Sequence, residues 1–166
     1  MKKLCFTTMI AVFLLIFNNG LQAQTTQTKL DQLKLFKTLY VGTWQRVISK
    51  DTVQVLEIQQ FGNAFVENIF LVVNGKKTFQ FGISTVYSPK EDNFKSFWFY
   101  QNGSYNTSIG SYTSENKLSF NYVENFNPEK VLRKAEKIHD TPDSYTAVFY
   151  KTDGTKGGEY KWTRVK

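Results

Sequence analysis

Proton transfer and nucleophilic attack need side chains of matched acidity brought together in one place. The 166-residue chain is poor in such groups, with one histidine, His139, and one cysteine, Cys5. Cys5 precedes an apolar run near the amino terminus, so no thiol nucleophile follows it. His139 stands beside Asp140, just ahead of the turn signal Thr141-Pro142-Asp143, where an imidazole reads as a solvated strand-end residue. Metal sites need clustered His, Cys or carboxylate ligands. Glu91-Asp92-Asn93 lies in one turn and lacks the longer spacing of a calcium loop. No metal ion and no cofactor are therefore expected. Paired carboxylates for sugar hydrolysis would require Glu57, Glu67 or Glu124 to converge, whereas carboxylates on strands usually face outward. No residue is assigned a catalytic role, and an enzyme is only the third reading.

The compartment is written in the leader. Lys2 and Lys3 supply a positive start, Met9 to Phe17 is a short apolar core, and Leu21-Gln22-Ala23 ends on a small residue. This is the pattern of a secretory signal peptide, residues 1–23, with an apolar run too short for a membrane span of ~20 residues. Secreted or periplasmic localisation follows as the expectation. Residues 24–28 read as a flexible polar tether, and residues 29–166 as one domain. Taking the 23-residue leader from 166 leaves 143 residues, and with Lys2 and Lys3 gone 19 basic residues face 14 acidic ones. No cysteine remains, so the core must hold without a disulfide. The lysines are scattered rather than gathered into a stripe, which argues against a nucleic-acid partner.

The elements follow from spacing. Leu30, Leu33, Phe36 and Tyr40 recur at three- and four-residue steps and predict one short amphipathic helix, with Thr28 as its cap. After Gly42 only Pro128 to His139 reads, ambiguously, as a second helix. Elsewhere short β-rich runs alternate with nine turn signals, among them Asn74-Gly75 and Asn102-Gly103, the two-residue hairpin signature. Nine breaks predict about ten strands in an all-β, antiparallel up-and-down meander, which curls closed to remove its edges. Phe79, Phe81 and Ile83 are expected on one face, as are Leu118, Phe120 and Tyr122, and again Tyr160, Trp162 and Arg164. Phe97-Trp98-Phe99-Tyr100 is aromatic on both faces, so its outer side needs a cover, with the helix as one candidate, or is a docking patch for a protein partner. An outer-membrane barrel would turn the aromatic faces outward and need long outer loops, which are missing.

A short helix, then Gly42-x-Trp44 opening the first strand, then a meander ending on Arg164, resembles the lipocalin-like (calycin) barrels. It looks most like small secreted bacterial lipocalin-like proteins. The resemblance implies that Gly42, Trp44 and Arg164 close the barrel base, the guanidinium stacked on the indole, an arrangement worth about 0.5–2 kcal/mol. The chain departs from the family in lacking its disulfide and in having about ten strands instead of eight. Ten-stranded fatty-acid-binding and nitrobindin-like barrels match the count better, and the latter would make His139 an axial haem ligand. Their glycine-rich strand motif is absent where Gln45-Arg46-Val47-Ile48 stands.

A closed barrel of this size either fills its interior or holds one small ligand. Tyr100, Tyr122 and Tyr160 are the candidate hydroxyl handles, and Trp98, Phe79, Phe81 and Phe120 the candidate wall. Arg46 shares the face of Trp44 and is expected either to meet a ligand carboxylate or a buried acid such as Glu67, or to reach water at the rim. The reading is a secreted lipocalin-like protein binding a small apolar or amphiphilic molecule. Its rival is an interaction module with a filled core, which a lumen below about 300 Å³ would favour.

Overall fold

The computed structural model describes residues 29–166. The expected signal peptide and tether, with the expected cap Thr28, fall outside the described residues. A helix, α1 (Gln32–Tyr40), precedes ten strands: β1 (Gly42–Ser49), β2 (Thr52–Phe61), β3 (Ala64–Val73), β4 (Lys76–Ser88), β5 (Asn93–Tyr100), β6 (Tyr105–Ser114), β7 (Lys117–Val123), β8 (Val131–Thr141), β9 (Ser144–Tyr150) and β10 (Lys156–Arg164). Each strand pairs antiparallel with the next and β10 pairs with β1, so the meander closes into a barrel. A closed ten-stranded antiparallel barrel of this kind fits a calycin-like fold. Among the described residues no helix is long and apolar enough to cross a membrane.

The turns are set by backbone chemistry. Asn74 and Gly75, with φ of 49° and 77°, form the tight hairpin between β3 and β4. The second Asn-Gly pair does not. Asn102 turns its side chain onto the Ser104 amide (Oδ1 accepting at 3.0 Å), and the β5–β6 connection widens to four residues, with Gly103 alone at positive φ. The stretch from Pro128 that read ambiguously as helical is β8, its alternate side chains Ala135, Lys137 and His139 turned inward and buried.

The helix is capped by Asp31, whose side chain accepts from the Lys34 amide at 3.0 Å. It seats inside one mouth of the barrel and does not cover the outer aromatics. Phe36 packs on Phe65 and Phe94 at 4.3 and 4.7 Å between ring centroids. Gln32 binds the β6 backbone as a neighbouring strand would, donating to the Tyr112 carbonyl at 3.1 Å and accepting from its amide at 2.6 Å. A helix of two and a half turns is marginal alone, and these contacts anchor it.

Beneath the helix lies the base. Trp44 is fully buried and its indole N–H donates to the Tyr40 carbonyl at 2.8 Å. The Arg164 guanidinium sits 4.3 Å over the Trp44 ring and donates to the carbonyls of Val41 at 2.6 Å and Leu39 at 2.9 Å. It therefore satisfies two carbonyls at the helix C-terminus, where a cation also meets the negative end of the helix dipole. Gly42 has φ of 130°, and a Cβ there would lie 2.7 Å from Arg164 Nη1. Gly42→Ala is expected to cost about 1–3 kcal/mol from backbone strain, measured by urea denaturation, with the added displacement of Arg164 seen as lost helical signal.

Candidate ligand cavity

The inward faces of β1–β5 and β8–β10 line a cavity of about 240 Å³. Four of the expected ligand residues, Arg46, Phe81, Trp98 and Tyr160, line it. Phe120 lies deeper, against a second void of about 20 Å³ that shares Glu67, Trp98 and Lys137 with the first. Tyr122 is buried beside Trp98 and Phe120, with the Arg133 guanidinium 4.0 Å over its ring. Tyr100 packs on Phe81 at 5.3 Å, and its hydroxyl accepts from Asn106 at 3.1 Å, away from the cavity.

Phe79 is on the other side of the wall. A β-bulge in β4 lets Ile69 pair with Phe81 and Phe70 with Phe79, so Gln80 is the extra residue and the alternation slips by one. Phe79 lies outside between Phe70, at 5.9 Å, and Phe99, at 6.4 Å. Opposite Phe99 stands Gly82, whose missing Cβ leaves the space the phenyl ring fills. Phe97 and Tyr105 stack at 5.3 Å on the same outer surface.

The seam of the barrel runs beside the cavity. β1 and β10 are in ladder register only at Trp44↔Arg164 and Gln45↔Thr163, and beyond Gln45 the two strands part. Arg46 fills the gap: its guanidinium lies 4.0 Å over the Tyr160 ring and 5.5 Å over Trp162, and its Nε donates to Gln54 at 2.7 Å. Burial pushes its pKa down from the ordinary arginine value. Glu67 is not its partner, and among the described residues no carboxylate forms an ion pair with Arg46.

The inner end of the cavity is polar. Glu67 is buried on β3; one carboxylate oxygen accepts from the Thr85 hydroxyl at 3.1 Å and the other has no partner. Lys137, on β8, is 8% exposed, and its ammonium faces the rings of Tyr40 at 4.0 Å and Phe120 at 5.2 Å. Among the described residues it has neither a hydrogen-bond acceptor nor an ion-pair partner. Tyr40 also lines the cavity, with its hydroxyl beside that of Tyr145. Burial raises the Glu67 pKa and lowers that of Lys137 to about 8, the attraction between them opposing both shifts.

Of the three carboxylates considered for hydrolysis, only Glu67 is inside. Glu57 pairs with Lys77 at 2.5 Å and Glu124 with Lys130 at 2.8 Å, both on the exterior. Glu67 thus has no second acid for paired-carboxylate catalysis. Among the described residues no His, Cys, Asp and Glu cluster suits a metal ion. Lys137 was missed in the sequence, although the alternation Ala135-x-Lys137-x-His139 placed it on an inward face. Glu67 carried the same signal between Phe65 and Ile69.

His139 is not solvated. It is buried under the base among Tyr40, Trp44 and Tyr145, with ring centroids 5.9, 6.0 and 5.4 Å away, and both its nitrogens lack partners. Sealed from the cavity, it offers no ligand to a haem there. Burial, then Lys137 and Arg164, push its pKa down to about 4, with Asp140 opposing. The unfolded chain, titrating at about 6.5, binds more protons between these values. Stability is therefore complete above pH 6.5 and falls as pH drops toward 4, by roughly 2 kcal/mol. Urea midpoints at pH 7 and 4.5 should differ in the native chain and converge in His139→Leu.

No protein-family model matches the chain, and no curated protein matches it in sequence.

Proposed function

We propose that this is a secreted or periplasmic lipocalin-like binding protein that holds one small amphiphilic molecule with an acceptor group, carboxylate or carbonyl, at its polar end. The observation that carries the reading is a pair of unpartnered polar groups, one Glu67 carboxylate oxygen and the Lys137 ammonium, at the inner end of a largely apolar cavity. Buried polar groups are nearly always satisfied, and leaving one dry costs about 1–3 kcal/mol. A barrel that only had to fill its core would place aliphatic side chains there. With Arg46 at the mouth and Lys137 inside, two cations face one buried acid, which favours an acceptor or an anion over a cation. The leader supports export.

Size restricts the ligand. The cavity of about 240 Å³ is below the mark of about 300 Å³ for drug-sized pockets. It exceeds the roughly 150 Å³ that suffices for benzene in an engineered core. One ring with a short polar substituent fits, and a long acyl chain does not.

The small volume also favours the rival reading, a filled core that docks on a protein through Phe97 and Phe99, which are 40% and 37% exposed. Titrations with benzoate, benzyl alcohol and benzylamine distinguish the two, because Trp98 and Trp162 line the cavity and report occupancy by fluorescence. Benzoate is expected to bind at least about tenfold more tightly than benzylamine, a difference near 1.4 kcal/mol. Tryptophan emission unchanged by all three would discard the ligand reading in favour of the filled core.

A further inference from the structure

Lys137 has a chemical possibility that simple binding does not use. We propose that the Lys137 amine captures small aldehydes or ketones covalently, as a reversible imine inside the barrel, with Glu67 as the acid that removes water and then as counter-ion. The inference rests on the cavity being a ligand site and names the ligand's reactive group.

Three observations support it. First, Lys137 is held where amines become nucleophiles: more than nine-tenths buried, walled by the Tyr40 and Phe120 rings, and free of any acceptor that would fix it as an ammonium. Second, its pKa near 8 leaves roughly a tenth of the molecules with a neutral amine at pH 7, against a negligible fraction for an exposed lysine. Third, Glu67 lines the same two voids, with one oxygen anchored on Thr85 and the other unpartnered. Burial raises its pKa, the direction that favours proton donation.

The chemistry balances without an oxidant or reductant. The Nζ lone pair forms a bond to the carbonyl carbon, and the carbonyl π pair moves to oxygen. The oxygen is protonated while nitrogen gives up a proton, leaving a carbinolamine. Proton donation from Glu67 to that hydroxyl lets the C–O bond break and water depart as the C=N bond forms. The product is a protonated imine facing the Glu67 carboxylate. In place of an unpaired ammonium and a dry acid, the cavity then holds a matched ion pair, which low polarity strengthens.

The test uses the mature protein with benzaldehyde as probe, sodium borohydride to reduce any imine, and peptide mass mapping. The expected result is one benzyl group per chain on Lys137, gained at least about tenfold faster than on the mean exposed lysine. Lys137→Met should abolish that label, and Glu67→Gln should slow labelling by a larger factor than it changes the non-covalent affinity for benzyl alcohol. Label spread evenly over exposed lysines, with Lys137 unmodified and benzoate still bound, overturns the imine and leaves the binding site standing. Loss of both labelling and benzoate binding overturns the two together.

Discussion

Trp44→Ala is expected to remove about 3–5 kcal/mol of stability, the cost of truncating a fully buried large aromatic side chain. The reason is the number of elements that meet on one indole. Its N–H holds the end of α1, its face carries Arg164, and its edge meets Tyr145 at 4.9 Å. Since domains are stable by only about 5–15 kcal/mol, the alanine variant can approach unfolding, and Trp44→Phe supplies a graded second measurement. Arg164→Lys keeps the charge but loses the planar fork that reaches Leu39 and Val41 together, and about 1–3 kcal/mol should follow. The double variant should cost less than the sum of the two singles, because each removes the same stack. Additive effects would show the stack to be incidental.

Lys137→Met is expected to act in the opposite direction. The amine has a folded pKa of about 8 against an ordinary 10.5. A depressed lysine pKa means that the stability it contributes is present above pH 10.5 and lost as pH falls toward 8, so at neutral pH burying it is a net cost. The shift corresponds to a cost on the order of 3 kcal/mol, offset in the variant by the lost contacts with Tyr40 and Phe120 and by Glu67 losing its attracting charge. Replacing a buried charge with an apolar side chain of similar length should therefore stabilise by about 1–3 kcal/mol below pH 8, with the gain fading above pH 10.5. The same variant should lose the preference for benzoate. Stability gained as binding is lost is the mark of a residue kept for function. A Lys137→Met variant that is less stable at pH 7 would show the ammonium to be a structural group.

The barrel was legible in the sequence because its signals are local. Turn residues at short intervals marked ten strands, and Gly42, Trp44 and Arg164 marked the base. What the spacing could not express was a one-residue slip. The bulge at Gln80 moves Phe79 to the outside without altering composition, and period-two counting runs straight through it. The second hairpin failed for a similar reason, since Asn102 spends its side chain on Ser104 and the loop widens. The polar end of the cavity was harder to see. Lys137 and His139 lie in a run of charged residues where inward and outward positions look alike, and their depth depends on α1 folding over that mouth. Glu67 was visible between two apolar neighbours, but the general tendency of acids to face water outweighed the position.

The break at the seam was hidden too. That β1 and β10 part after Gln45 depends on closure between two strands far apart in sequence, and no local pattern announces it. Arg46 was identified by sharing the face of Trp44, whereas its partners Gln54 and Tyr160 follow from the splayed seam.

The most direct test is native mass spectrometry of the protein purified from its own host without denaturation. The account predicts a fraction of molecules carrying one small adduct, of a size suited to a single ring with a polar end, and its absence from Lys137→Met. A chain that is uniformly free of any adduct, together with cavity tryptophans that respond to no small acid, alcohol or amine, would contradict it.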